Sequence, residues 1–108
     1  MITKSYLKSK KCWKVTFSVP EKELPDWVTI KRVNLVGSFN KWDNDATPMK
    51  FIKRRKAWKA SIYLAPASTV QFRYLINGQH WSNDWHADGY APNAMGSENC
   101  IVNLPPAE

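Results

Sequence analysis

The sequence predicts an all-β sandwich of about seven short antiparallel strands. Apolar and polar residues alternate with a period of two in several short runs, which is the pattern of strands with one buried face. Proline, glycine and asparagine turn signals separate these runs, and no stretch has the spacing of an amphipathic helix. Many short strands with turn signals between them are typical of a two-sheet sandwich.

The first strong strand is predicted over residues 12–19. Trp13, Val15, Phe17 and Val19 alternate with polar side chains there, and Pro20 ends the run. The preceding residues 1–11 are polar and basic, and we expect them to form a flexible arm. A chain of 108 residues can build one hydrophobic core but not two, so residues 12–108 are expected to form a single domain.

The middle of the chain predicts a central strand followed by a hairpin. The strand is expected over residues 28–39, after a proline-containing loop, and it leads into a polar turn that carries Trp42. Two further strands are expected from Met49 to Ile52 and over residues 58–64. The basic run 53–56 then lies at the tip between them.

The last third of the chain predicts a second hairpin, a long loop and a closing strand. Residues 70–75 alternate, and Asn77-Gly78 is a strong hairpin signal before a return strand at 79–82. Residues 83–98 have no clear period but carry an aromatic residue every few positions, which favours a functional loop over disorder. Residues 99–104 form the closing strand.

Composition restricts the class of protein. No apolar run approaches the length that crosses a bilayer, and no signal peptide is visible at the start, so we expect a cytoplasmic protein with no membrane partner. Cys12 and Cys100 are expected as reduced thiols in that compartment. Two histidines and scattered carboxylates make neither a metal site nor a catalytic triad, so we expect no enzyme activity and no cofactor.

The formal net charge of +7 permits binding to an anionic partner. The cations cluster in residues 4–14 and 50–59, apart from the aromatic segment 81–99, which contains acidic residues and no lysine or arginine. Single-stranded nucleic acid is bound by aromatic rings interleaved with cations. Because the cations lie apart from the aromatic segment, nucleic acid is disfavoured as the ligand of that segment, and a sugar is favoured over it. An anionic-ligand binder that works through the basic hairpin remains a third alternative.

Five of the six tryptophans divide into two groups by their neighbours, and Trp27, at a loop-to-strand junction, is assigned to neither. Trp13 and Trp58 are in phase with the apolar residues of their strands, which predicts core positions. Trp42, Trp81 and Trp85 are flanked by polar residues on turns and loops. An indole ring can stack on the apolar face of a glucose unit, and asparagine amides can both donate to and accept from its hydroxyls. This pattern favours a sugar-binding surface.

Several motifs resemble one known family. Gly-Ser-Phe-Asn-Lys-Trp at 37–42, followed by Ala-Thr-Pro-Met, resembles the family 48 carbohydrate-binding modules, which are early-set domains of glycogen branching and debranching enzymes. The hairpin 71–78, Trp81, Asp84 and the segment 95–99 follow in family order, so the resemblance covers residues 31–104. The same family includes the glycogen-binding domain of the AMP-activated protein kinase β subunit and short stand-alone bacterial isoamylase early-set proteins.

The resemblance implies an immunoglobulin-like early-set fold and non-catalytic binding of an α-1,4-glucan such as glycogen, starch or a maltooligosaccharide. In the kinase-type modules two tryptophans stack on sugar, a lysine and an asparagine bind its hydroxyls, and a leucine reaches the ligand. Carried over, these roles fall on Trp42, Trp81, Arg73, Asn99 and Met95. Arginine and methionine therefore replace the family's lysine and leucine.

Two questions remain open at the level of sequence. His80 is inserted before Trp81, so Trp85 is an alternative second stacking platform. A glucan-metabolising enzyme and a second copy of the chain are further candidate partners. The alternative function is a protein-interaction or dimerisation module of the same fold that binds no sugar.

Overall fold

The structure, a computed structural model, describes residues 1–107, which fold into two antiparallel sheets. The described strands are β1 (Ile2–Leu7), β2 (Cys12–Pro20), β3 (Val33–Gly37), β4 (Lys50–Ile52), β5 (Ala57–Leu64), β6 (Thr69–Ile76), β7 (His80–Ser82), β8 (Gly89–Pro92) and β9 (Glu98–Asn103). The four-stranded sheet has the order β1-β2-β5-β4, and the five-stranded sheet has the order β3-β6-β9-β8 with β7 beside the end of β6. The predicted all-β, immunoglobulin-like sandwich is confirmed.

Strand alternation places the core between the two sheets. The inward residues of β2 and β5 include Val15, Phe17 and Trp58, and those of β6 and β9 include Phe72 and Val102. Trp13 and Trp58 are both buried, as their strand phase predicts. Their large aromatic areas contribute strongly to the apolar surface removed from water.

Residues 1–11 differ from the expected flexible arm. Ile2–Leu7 form strand β1, which pairs along its length with β2 from Ile2↔Phe17 to Leu7↔Cys12. The Tyr6 ring packs edge-on against Trp13 with the ring centroids 5.2 Å apart. In this strand Ile2 and Tyr6 face the core while Thr3 and Ser5 are exposed. The lysines of residues 1–11 make this alternation hard to recognise in the sequence.

The central strand is shorter than the sequence predicts, because a different set of hydrogen bonds holds the residues before it. The Asn77 side-chain oxygen accepts from the backbone N–H groups of Lys31 (2.8 Å) and Arg32 (3.2 Å), and its amide nitrogen donates to Thr29 O (2.8 Å). Residues 28–32 are therefore tied to the β6–β7 turn, and β3 begins at Val33.

The long loop 83–98 contains one short strand. Residues Gly89–Pro92 form β8, which pairs with β9 from Gly89↔Ile101 to Pro92↔Glu98. Cys12 and Cys100 are free thiols, the first half-buried and the second buried. Over residues 1–107, no helix has the length and apolar character that spanning a bilayer requires.

Candidate functional site

A shallow depression on the five-stranded sheet brings together five of the six side chains singled out in the sequence. It has a volume of about 370 Å³ and is lined by Trp42, Arg73, Trp81, Asn93, Met95 and Asn99. Small-molecule sites commonly have volumes of about 300–1,000 Å³. Trp85, the alternative platform, is 73% exposed but does not line this depression.

Strand alternation explains why these residues share one face. Phe72 and Tyr74 of β6 are in the core, so Arg73 between them points to the outer face. Trp81 of β7 pairs with Leu75, which is on the same outer face as Arg73. Asn99 precedes the buried Cys100 on β9 and therefore also faces outward.

The turn that presents Trp42 is held back against β3. The Asn40 side chain accepts from Gly37 N (3.0 Å) and donates to Leu35 O (3.0 Å) and Thr47 Oγ1 (3.1 Å). The Trp42 backbone N–H donates to Gly37 O at 2.8 Å. Only glycine fits at position 37, because a Cβ there would lie 2.4 Å from Gln71 O. These contacts fix the position from which the indole ring projects.

The same turn contains backbone strain. Lys41 and Trp42 both have positive φ values, 58° and 59°. A bulky side chain rarely adopts this left-handed conformation, which costs about 1–3 kcal/mol per residue and tends to occur at ligand sites. The ring of Trp42 is 38% exposed. The chain thus tolerates strain to keep a large apolar ring at the surface.

Arg73 positions the second ring. Its Nε donates to Asn83 Oδ1 at 2.7 Å, and its guanidinium carbon lies 5.7 Å from the centroid of the Trp81 ring. Asn83 in turn donates to Glu98 O at 3.0 Å. A guanidinium has five N–H donors, so one bond to Asn83 leaves four for other acceptors. Trp81 itself is 42% exposed.

Asn93 is a lining residue that the sequence reasoning missed. Its side-chain oxygen accepts from the backbone N–H groups of Met95 (2.9 Å) and Ser97 (3.1 Å), which closes the turn that presents Met95. Its amide nitrogen donates to Asn99 Oδ1 at 3.0 Å, and Asn99 donates to Gln71 Oε1 at 3.0 Å. The asparagine followed three residues later by Gly96, at φ 81°, was the available signal.

A buried polar cluster supports the loop beside Trp81. Asp84 is 3% exposed and accepts from the Tyr74 hydroxyl at 2.6 Å and from His86 N at 2.7 Å. The Tyr90 hydroxyl donates to Asp84 O at 2.6 Å. Burial, followed by the charge of Asp84, raises the pKa of Tyr74 well above 10.0, so this hydroxyl remains a donor. The cluster fixes the chain that leaves β7.

The two histidines lie outside this depression. His80 packs against the exposed Trp27 with the ring centroids 5.0 Å apart, and His86 Nε2 lies 3.3 Å from Glu23 Oε1. Residues 1–107 contain no group of three side chains suited to hold a metal ion. A larger groove of about 690 Å³ between residues 20–30 and Arg55-Lys56 includes none of the residues singled out for sugar binding.

Comparisons with known proteins identify a family and a fold. The sequence model of carbohydrate-binding module 48 (isoamylase N-terminal domain) matches residues 29–94. The ferric enterobactin esterase from Salmonella typhimurium has a similar structure, with a TM-score of 0.75 over 99% of this chain. At 11% identity that likeness shows the fold alone, and the chain spans 35% of the length of that protein. No curated protein matches the chain in sequence.

Proposed function

The chain belongs to the carbohydrate-binding module 48 family, and from that premise we propose that it is a non-catalytic module that binds α-1,4-glucan. One observation carries the proposal: two half-exposed indole rings meet two asparagine amides and a guanidinium in one depression. This combination suits a glucan, because each sugar ring has apolar faces and a perimeter of hydroxyl groups.

The proposed contacts follow from the chemistry of each side chain. Trp42 and Trp81 stack on sugar rings, and Met95 on the loop after β8 provides an adaptable apolar contact. Arg73 donates to hydroxyl oxygens through the N–H groups that Asn83 does not use. Both polar atoms of the Asn99 amide already bond within the protein, because its oxygen accepts from Asn93 and its nitrogen donates to Gln71. Its second N–H and the second lone pair of its oxygen are therefore left for the ligand.

The charge of the site supports a neutral ligand. Arg73 is the only ionised side chain among the six residues that line the depression. Stacking and neutral hydrogen bonds do not release counterions, whereas contacts to phosphate do. The affinity for a maltooligosaccharide is therefore expected to change little with salt. In this proposal the protein is cytoplasmic, where glucan and a glucan-metabolising enzyme are its partners.

Calorimetric titration of maltoheptaose against tryptophan variants tests the function. Removal of one stacked ring costs about 1–3 kcal/mol in other stacking sites, so Trp42→Ala and Trp81→Ala should each weaken binding by about 5- to 150-fold. Trp85→Ala is the matched control, because Trp85 is equally aromatic and more exposed but lies outside the depression.

A glycogen pull-down with dextran as the control polysaccharide tests the class of sugar. Retention on glycogen and not on dextran supports an α-1,4-glucan ligand. The proposal is overturned if the wild-type protein binds neither maltoheptaose nor glycogen. It is equally overturned if Trp42→Ala and Trp85→Ala have the same effect. Concentration-dependent dimerisation without sugar binding would instead support the interaction module.

A further inference from the structure

The four-stranded sheet carries most of the positive charge of the protein. Eleven of the sixteen lysines and arginines lie in residues 1–20 and 50–64, the two segments that form this sheet and its two turns. Those segments contain no aspartate or glutamate. Lys4 is the only one of the eleven that forms an ion pair with a carboxylate of residues 1–107, at 2.7 Å from Asp88. The other ten therefore have no such internal partner.

These cations form a track along the strands. Lys8, Lys10 and Lys11 lie at the β1–β2 turn, and the run 53–56 lies at the β4–β5 turn. Because β2 and β5 are antiparallel neighbours, the two turns lie at opposite ends of the sheet. The nine residues of β2 span about 26 Å at about 3.3 Å per residue. Lys14, Lys50 and Lys59 lie between the turns on the outer face.

One pair in this track reduces stability. Lys50 of β4 and Lys59 of β5 are directly opposite each other in the sheet. Like charges at directly opposite positions destabilise a sheet. Both side chains are exposed. An anionic partner that binds across β4 and β5 would convert this repulsion into attraction.

The groups between the cations indicate which anion fits. The outer face presents hydroxyl groups of Thr16, Ser61 and Tyr63, and Lys10 Nζ lies 4.5 Å above the Tyr63 ring. Lysine, arginine, serine, threonine and tyrosine are the side chains that contact nucleic-acid phosphates. Among the large hydrophobic residues of the strands and turns of this sheet, residues 2–20 and 50–64, Tyr63 alone is mostly exposed, at 54%, and Met1 at the sheet corner is the terminal residue, at 67%. The face therefore lacks the apolar anchors of a membrane-binding surface or a protein interface.

We propose that the outer face of the four-stranded sheet, defined by Lys10, Lys14, Lys50 and Lys59, binds the phosphate backbone of nucleic acid without reading its sequence. The cations lie apart from the aromatic loop, which disfavours nucleic acid as a ligand of the depression. The same cations lie on the opposite face of the sandwich, where they can bind phosphate. The proposal does not depend on sugar binding, since the two faces share no residue.

Two double variants with equal net charge test the proposal. Lys14→Gln/Lys59→Gln removes two cations of the track, and Lys31→Gln/Arg32→Gln removes two exposed cations outside the four-stranded sheet. Both lower the formal net charge from +7 to +5. Fluorescence anisotropy with a labelled mixed-sequence DNA duplex, a single-stranded RNA, and vesicles containing phosphatidylserine then measures binding over a range of salt concentrations.

The track variant is expected to bind the duplex about 10- to 50-fold more weakly near physiological salt, with the slope of log K against log salt reduced by about 1.8. The control pair should change binding less than threefold, and maltoheptaose binding should be unchanged in both. Equal weakening by the two pairs would show that net charge alone acts and would overturn the proposal. Binding to vesicles without binding to either nucleic acid would also overturn it, in favour of a lipid surface.

Discussion

At the scale of single residues, the neighbours of each tryptophan decide its role. Trp58 alternates with polar residues in β5 and is buried, whereas Trp42 lies in a run of polar turn residues and is 38% exposed. The indole N–H of Trp58 is buried without a hydrogen-bond partner within the described residues. Trp58 therefore contributes through its apolar area and not through its polar atom.

Substitution of Trp58 separates these two contributions. Trp58→Ala should lower the free energy of unfolding by about 3–5 kcal/mol, because it leaves a large cavity in the core. Trp58→Phe should cost much less, because it keeps an aromatic ring and removes the unpaired donor. Urea denaturation measures both, with Trp85→Ala as a surface control expected within about 0.5 kcal/mol of wild type. A cost for Trp58→Ala no larger than that control would contradict the burial of this ring.

At the scale of elements, the loop between β8 and β9 is organised by one side chain. The side-chain oxygen of Asn93 accepts from the backbone N–H groups of Met95 and Ser97, and its amide nitrogen donates to Asn99. The loop is exposed and buries little apolar surface, since Met95 is 88% exposed. Its conformation therefore depends on these hydrogen bonds more than on packing.

Asn93 variants test whether the loop geometry matters for ligand binding. Asn93→Ala removes all three bonds and should weaken maltoheptaose binding by about fivefold or more, at about 1 kcal/mol for a lost hydrogen bond. Asn93→Asp keeps the acceptor that closes the turn but places a carboxylate against Asn99 Oδ1. It should therefore retain the loop and still weaken binding. Unchanged affinity in both variants, measured by calorimetry, would exclude this loop from the site.

The same elements show what the sequence can predict. Alternation about Phe72 and Tyr74 is enough to place Arg73 on the outer face, because strand periodicity is local. The family resemblance places Trp81 and Asn99 near it. Asn93 could not be found in this way, since its role depends on bonds to Asn99 and to the backbone of its own turn. Strand β1 was missed because its stability comes from pairing with β2, which periodicity alone does not reveal.

At the scale of the whole molecule, the sandwich presents two faces of different chemistry. The depression lies on the outer face of the five-stranded sheet, and the cationic track lies on the outer face of the four-stranded sheet. The molecule measures 43 × 37 × 22 Å along its principal axes. Because the sites are on opposite faces, the two proposed ligands do not exclude each other.

Two buried groups between the sheets, Cys100 and Tyr74, make the free energy of unfolding depend on pH in the alkaline range. Burial raises the pKa of the Cys100 thiol from 9.0 to about 11, and burial together with Asp84 raises the pKa of Tyr74 well above 10.0. Both groups are neutral when protonated, so a raised pKa in the folded state means that folding favours the protonated form. The contribution of Cys100 is fully present below about pH 9 and is lost as the pH rises through about 11, and that of Tyr74 is fully present below about pH 10 and is lost at higher pH.

Urea denaturation of wild type, Cys100→Ala and Cys12→Ala between neutral and strongly alkaline pH tests this coupling. The wild-type free energy of unfolding should be constant up to about pH 9 and then fall by about 2–3 kcal/mol or more towards pH 11, since a tenfold change in proton affinity corresponds to about 1.4 kcal/mol. Cys100→Ala should show a smaller alkaline loss, because the buried thiol no longer titrates. Cys12→Ala should follow the wild-type curve, since Cys12 is only half-buried, unlike Cys100. A flat wild-type curve, or equal flattening by both cysteine variants, would show that the thiol between the sheets does not set the alkaline limit.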